Sequence, residues 1–247
     1  MEKDYRKQIY EKYITNQFSQ AVDVSEIEKE YDLQELYFIK NYLKYMPIDK
    51  AAKIIDVGCG MGAFLNFCKN QGYTNILGID LSEENVEFCK NQGLNAVKVN
   101  MFEYLQDRKE TFDCIVCSDV VEHLDRQDVF ALLTIMRNAL ISSSKTGNVL
   151  IKVPNMSNPY VGPASLSIDF THMYIFTELS LKQVLTTIGF SDVTIVGTDI
   201  YVRKNITNFL AKQIARLLCF ELYLKSWIFG RKSIKIFQKN ILAIAKK

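Results

Sequence analysis

The run Lys53-Ile54-Ile55-Asp56-Val57-Gly58-Cys59-Gly60-Met61-Gly62-Ala63 carries an apolar segment into a carboxylate and then into three alternating glycines. Glycines at this spacing let backbone N–H groups reach a ligand with no Cβ in the way, and a helix starting directly behind them adds the positive end of its dipole. This is a nucleotide-type cofactor site approached from a strand. The loose dinucleotide fingerprint is also satisfied, with Ala63 in its last place. Charge separates the two readings. Asp56 stands two residues before Gly58; it repels a pyrophosphate and attracts a cofactor that carries an ammonium and a sulfonium, as S-adenosylmethionine does. A second acid, Asp80, closes Asn75-Ile76-Leu77-Gly78-Ile79-Asp80, where a carboxylate takes both hydroxyls of a ribose.

Only two histidines occur, His123 and His172. Histidine is the base suited to neutral pH, and a hydroxyl that accepts a methyl group gains about 10²–10⁴ in rate from one. His123 follows Glu122, and His172 comes three residues after Asp169. Each has an ordinary structural alternative, capping or bridging backbone groups, and an amine acceptor needs no base. Asp119, Glu122 and His123 form no recognised metal-ligand spacing with a further residue, so no metal is expected.

The elements that must hold these residues alternate. Strands are predicted at 53–57, 75–80, 95–99, 112–118, 147–153, 192–199 and 240–245, and helices at 61–71, 82–92, 101–107, 126–140 and 177–188. Such alternation means a parallel sheet with helices on both faces, whose ligands lie at the carboxyl ends of the strands. Gly58, Asp80, Asn100 and Ser118 all fall at strand ends. Helical spacing also runs through Tyr5, Ile9 and Tyr13 and through Leu33, Leu36, Tyr37, Ile39, Lys40 and Leu43, giving two or three helices ahead of the sheet. Between Pro154 and Phe176 lies a stretch with three prolines and no periodicity, read as a long functional loop and as the acceptor-binding wall.

Three ordered segments carry a family resemblance. Asp56 to Gly62, Leu77-Gly78-Ile79-Asp80-Leu81-Ser82, and Phe112 through Asp119 and Glu122-His123 to Leu124 resemble the first, second and fourth motifs of class I S-adenosylmethionine-dependent methyltransferases. Val153-Pro154-Asn155, Asp169-Phe170-Thr171-His172 and Phe176 to Phe190 resemble a branch found with O-antigen, capsule and other surface-glycan genes. The resemblance implies a Rossmann-like, doubly wound α/β sheet of seven strands, mostly parallel, with the last strand antiparallel between the fifth and sixth. It implies a core at 51–202 and 239–247, an N-terminal helical lid at 1–50 that would bring Tyr10 and Tyr13 to the pocket, and an insertion at 203–238. The cofactor residues it implies are Asp56, Gly58, Cys59, Gly60, Gly62, Asp80, Leu81, Asn100, Met101 and Ser118. At Asn100 the family usually has Asp, and an Asn oxygen accepts the same hydrogen bond from an adenine amino group. The implied acceptor is a sugar hydroxyl. The alternatives are a small molecule methylated on nitrogen or on a quinone-like ring, or a cofactor-binding partner protein without turnover.

Composition narrows the partners. With 247 residues, 48% hydrophobic, the chain has ample material for a core. Its six cysteines lie in apolar or helical segments, which fits buried thiols in a reducing cytoplasm, and Cys114 and Cys117 point to opposite faces of one strand. Residues 203–247 carry 11 Lys or Arg against Glu221 alone, while the rest is net acidic, which disfavours nucleic acid at the catalytic part. In 203–238, Ile206, Leu210, Ile214, Leu217, Leu218 and Leu222 recur at helical spacing with Lys212 and Arg216 opposite. An amphipathic basic helix of this kind lies on an anionic membrane face, packs on its own sheet, or meets a second subunit.

Overall fold

The computed structural model describes residues 24–142, 147–231 and 233–247. Tyr5, Ile9, Tyr10 and Tyr13 lie outside the described residues. In chain order the elements are α1 (Val24–Asn41), β1 (Ile54–Val57), α2 (Ala63–Asn70), β2 (Ile76–Asp80), α3 (Glu83–Asn91), β3 (Ala96–Lys98), α4 (Met101–Leu105), β4 (Cys114–Ser118), α5 (Arg126–Ala139), β5 (Asn148–Pro154), α6 (Gly162–Ile168), α7 (Glu178–Ile188), β6 (Ser191–Gly197), α8 (Ile206–Ile228) and β7 (Asn240–Lys246). The strands form one sheet in the order β3-β2-β1-β4-β5-β7-β6. β1 pairs in parallel with both β2 and β4, and β7 runs antiparallel between β5 and β6. The expected seven-stranded Rossmann-like sheet is therefore present. Its order reverses at β1 and β4, so the carboxyl ends of these two strands open a crevice.

Each sheet face is sealed by its own cluster. On one side Ile55, Val57, Ile115, Cys117, Leu132, Leu133, Leu181 and Leu185 pack beneath α5 and α7. On the other, Tyr37, Phe38, Tyr42, Phe64, Phe67 and Cys114 join α1 and α2. Cys114 and Cys117 thus face opposite sides, as a strand period of two requires. Phe38 is the hub of the second cluster, with ring centroids 5.1 Å from Tyr42, 5.2 Å from Phe64 and 5.4 Å from Phe67. The buried stripe of α1 is Tyr37, Phe38 and Asn41, continued by Tyr42 just after it, whereas Leu36 and Ile39 are exposed. The aromatic side chains win the inward face because α2 presents aromatic partners to them.

Three sequence expectations shift. Helix α2 starts at Ala63 rather than 61, because Gly62 sits at φ +80, outside helical space. The stretch 154–176 is not a plain loop: α6 forms within it, with Pro163 in the first turn, where a missing N–H costs nothing. Gly162 packs so closely there that a Cβ would stand 2.6 Å from the Met156 Cα. Lastly, α8 shows its apolar side to solvent. Ile206, Leu210, Ile214, Leu217 and Leu218 are all more than half exposed, while Lys212 turns inward to an ion pair with Asp199. No described helix is long and apolar enough to cross a membrane.

These placements make a contrast in stability. Phe38→Ala is expected to cost about 3–5 kcal/mol. Leu217→Gln, on the outward face of α8, should stay within about 0.5 kcal/mol of the parent. Denaturant unfolding of the two variants measures both; equal losses would contradict the burial described.

Candidate functional site

The turn after β1 is built around positive backbone angles. Gly58, Gly60 and Gly62 have φ of +73, +50 and +80, a region that side-chain-bearing residues rarely adopt. A Cβ at Gly58 would stand 2.4 Å from Val120 Cγ2, so glycine is also required for contact with the segment after β4. At Gly60 a Cβ would meet no atom of the described residues within 4 Å. The turn is fastened to β2, since the N–H groups of Gly58 and Cys59 both donate to the Ile79 carbonyl, at 2.8 and 3.0 Å.

Two carboxylates flank the turn. Asp80 Oδ2 accepts from the Gly60 N–H at 2.9 Å, and Oδ1 accepts from Ser82 N at 2.8 Å and Asn85 Nδ2 at 3.2 Å. Its geometry is set by the protein, and a carboxylate retains lone-pair capacity for further donors. Asp56 is 3% exposed. Burial and then the nearby Asp80 charge push its carboxyl up to about 8, against the pull of Lys152. A site in which two acids lie close and one is driven toward its neutral form calls for a cation, and it is unsuited to a pyrophosphate.

Around the turn, several expected residues take roles the sequence did not disclose. Tyr31 of α1 donates its hydroxyl to the Met61 carbonyl, so α1 reaches across the glycine turn. Tyr42, fully buried, shares a hydrogen bond of 2.9 Å with Ser118 at the end of β4. The Cys59 side chain faces inward with Leu65, Val86, Cys89 and Leu94, leaving only its backbone to meet a ligand. The Asn100 oxygen, expected at an adenine, accepts from Phe102 N at 2.8 Å and caps α4. Capping is the usual task of Asn directly before a helix, and it takes one of that oxygen's two lone pairs. Met101 packs partly against the main core, and Leu81 stays 46% exposed at the start of the β2–α3 connection.

Beyond the carboxyl end of β4 lies a second group. Asp119 has φ +56 and ion-pairs with Lys152. Burial works against the charge of Lys152, yet Asp119 beside it holds its ammonium above the usual range. The Glu122 carbonyl accepts from Met173 N at 2.7 Å and Tyr174 N at 3.2 Å, which carries the 170s segment onto this turn. His123 and His172 thereby stand with ring centroids 4.5 Å apart. Thr171 Oγ1 donates to Asp169 Oδ1 at 2.6 Å, so it must accept from His123 Nδ1 at 2.7 Å. His172 Nδ1 donates to the Ser165 carbonyl. In the neutral rings both Nε2 atoms are then the unprotonated ones. Burial first, and His172 second, lowers the His123 imidazole to about 4. His172, Asp119 and Lys152 line a cleft of about 710 Å³, closed by Tyr37 of α1, Tyr160, Val161 and Ile168 around α6, and Ile200 and Val202 after β6.

Spacing in sequence missed Glu122, Thr171 and Asp169 as site residues, as it missed Tyr31 and Lys152. Glu122 and His172 lie 50 residues apart; only the β4 and β5 crossovers bring them together. The short-range signal available was Asp169-Phe170-Thr171-His172, whose acid and hydroxyl precede a histidine.

Comparison with known proteins agrees with this frame. Residues 30–195 match the family model described as a methyltransferase domain. The ubiquinone biosynthesis O-methyltransferase of Rickettsia felis is 31% identical over 103 residues, 39% of this chain and 41% of that protein. The ribosomal protein L11 methyltransferase of Thermotoga neapolitana is 32% identical over 110 residues, 43% of this chain and 40% of its own length. The chain therefore spans about two fifths of the length of these curated relatives. A crystal structure of a SAM-dependent methyltransferase from Archaeoglobus fulgidus superposes with a TM-score of 0.66 at 26% identity, covering 91% of this chain and all of that one. With its glycine turn, paired acids and sheet order accounted for, the chain belongs to the methyltransferase domain family, of the class I, S-adenosylmethionine-dependent kind.

Proposed function

We propose that this protein methylates a hydroxyl oxygen of a small acceptor with an apolar body, held in the cleft between α1 and the 154–176 segment. The observation that carries this reading is His172 at the wall of that cleft with His123 packed against it, each ring fixed through Nδ1 so that Nε2 is the basic nitrogen. An acceptor amine would not need such an arrangement, whereas a hydroxyl must give up a proton.

S-adenosylmethionine brings an electrophilic methyl group on a sulfonium. The residues present fit it: Asp80, oriented by Gly60, Ser82 and Asn85, is assigned to the ribose hydroxyls, and Asp56 with the 58–62 turn to the positively charged methionine end. Leu81 and Met101 are assigned to the adenine side. Ser118, held by Tyr42 at the end of β4, is assigned to the cofactor as well. Placement of the acceptor supplies most of the acceleration of such a displacement, up to roughly 7–11 kcal/mol when geometry is ideal.

The cleft walls speak to the acceptor. A glycan would be favoured by aromatic, polar walls in 154–176, but Pro154, Val161, Ala164 and Ile168 give this side an aliphatic majority beside Tyr160, Ser165 and His172. An aliphatic wall fits a phenol- or quinol-like ring better than a bare sugar, and the name of the Rickettsia felis relative points the same way. The surface-glycan reading therefore gives way to the small-molecule alternative, with oxygen rather than nitrogen as the target.

Release of S-adenosylhomocysteine over a panel of phenols, quinols, sugar nucleotides and amines tests the acceptor class. Turnover is expected on ring hydroxyls; turnover confined to amines would overturn the reading. His172→Ala should lower kcat by roughly a hundredfold or more while cofactor affinity holds. Unchanged kcat in both His172→Ala and His123→Ala would remove the histidines from the mechanism.

Asp56 gives a pH signature. Its carboxyl, raised to about 8 in the fold but near 4 when unfolded, keeps its proton in the cofactor-free protein up to about pH 8. The native state thus binds more protons than the unfolded one between these values, and stability falls as pH rises through that window. Asp56→Asn should gain stability relative to the parent from pH 5 to 8, by up to about 1.4 kcal/mol per pH unit. Parallel stability–pH curves for the two proteins would contradict the buried, proton-holding Asp56.

A further inference from the structure

We infer that Glu122, His123 and His172 form a binding site for one divalent first-row metal ion. Each residue offers one ligand atom, and the three atoms lie within 4.8 Å of one another. Donors on opposite sides of such an ion are about 4 Å apart, given bonds of about 2.0–2.2 Å, so a small contraction closes the set.

Two independent features distinguish this cluster from an ordinary packed histidine pair. The first is Glu122. It is 0% exposed, and among the described residues neither carboxylate oxygen has a hydrogen-bond partner. A buried carboxyl left in this condition is costly, and coordination of a cation is one of the few arrangements that satisfies it. The second is the support behind each ring. A metal-ligating histidine characteristically donates its other ring N–H to a carboxylate, a hydroxyl chain or a backbone carbonyl, which fixes the tautomer. Here His123 donates through Thr171 to Asp169, and His172 donates to the Ser165 carbonyl. Both Nε2 atoms are thereby left as the donors of electron pairs. Lys152, the cation next to the site, is already matched by Asp119.

Two imidazoles and one carboxylate suit the range from Mn²⁺ to Zn²⁺ better than Mg²⁺ or Ca²⁺, which favour oxygen ligands. Three protein ligands leave coordination positions open, and His172 lines the cleft assigned to the acceptor. With the ion bound both Nε2 atoms are ligands and no longer bases, and a hydroxyl oxygen that takes an open position is acidified by the ion and loses its proton to solvent. The new C–O bond then forms as the S–C bond of the sulfonium breaks and the sulfur keeps the electron pair. This last role rests on the methyl-transfer reading; the ion site itself does not.

The test uses the full chain, stripped with chelator and titrated with Co²⁺, with Mn²⁺ binding followed in parallel by loss of the free-ion electron paramagnetic resonance signal. One ion per chain is expected, with visible d–d absorption of nitrogen- and oxygen-ligated Co²⁺ and at least tenfold weaker binding in His172→Ala and in Glu122→Gln. His172→Ala alters a partly exposed side chain, and Glu122→Gln keeps the volume, so circular dichroism of each shows whether the fold is retained. Absence of binding to the folded parent, or equal binding by parent and folded variants, overturns the site. Neither readout uses an acceptor or turnover, so failure here leaves the methyl-transfer proposal standing. An ion bound as expected, with turnover on a hydroxyl acceptor unaffected by chelator, supports the site and overturns its role on the acceptor.

Discussion

The Asp80 carboxylate is the point on which the site depends. One of its oxygens holds the Gly60 amide and the other holds Ser82 and Asn85, so a single side chain ties the turn after β1 to the entrance of α3. Within the turn the Gly62 N–H donates to the Cys59 carbonyl at 2.9 Å, but the glycines occupy left-handed backbone conformations that they adopt freely and lose just as freely. The bonds from Gly58 and Cys59 to Ile79 and the anchor at Asp80 convert that freedom into one conformation. Burial raises the proton affinity of Asp56, and the same Asp80 carboxylate adds to that effect.

From this anchor the site extends outward in two directions. Toward β4, Gly58 leaves room for Val120, which lets the segment carrying Glu122 and His123 lie against the glycine turn. Toward the N-terminal side, the Phe38 cluster seats α1 on α2, and Tyr31 then reaches the Met61 carbonyl while Tyr42 reaches Ser118. Helix α1 thus borders both the glycine turn and the cleft. α6 closes the far side with a short helix whose start is set by proline.

Much of this was legible in the sequence, for an identifiable reason. The strand–turn–helix, both acids and the strand ends are encoded within short contiguous segments, where periodicity, glycine spacing and capping residues act locally; Ser82 and Thr177 cap the helices expected to begin at 82 and 177. What could not be read depends on which distant segments meet. His172 and Glu122 have no sequence relation; they meet because Met173 and Tyr174 bond to the Glu122 carbonyl. The inward stripe of α1 could not be chosen among several apolar spacings until α2 supplied aromatic partners. For α8 the local pattern left three placements open; its apolar side is exposed rather than packed on the sheet, and the inward turn of Lys212 to Asp199 depends on a residue outside the helix.

The claim that the turn and Asp80 form an S-adenosylmethionine site is tested most directly by calorimetric titration of the parent and of Asp80→Ala with S-adenosylmethionine and with NAD. The parent should bind one S-adenosylmethionine per chain and give no heat with NAD. Loss of the charge-assisted hydrogen bonds to the ribose, each about 1.5–3 kcal/mol, should weaken binding in Asp80→Ala at least tenfold. Parent affinity retained in that variant, or preferential binding of NAD, would contradict the account.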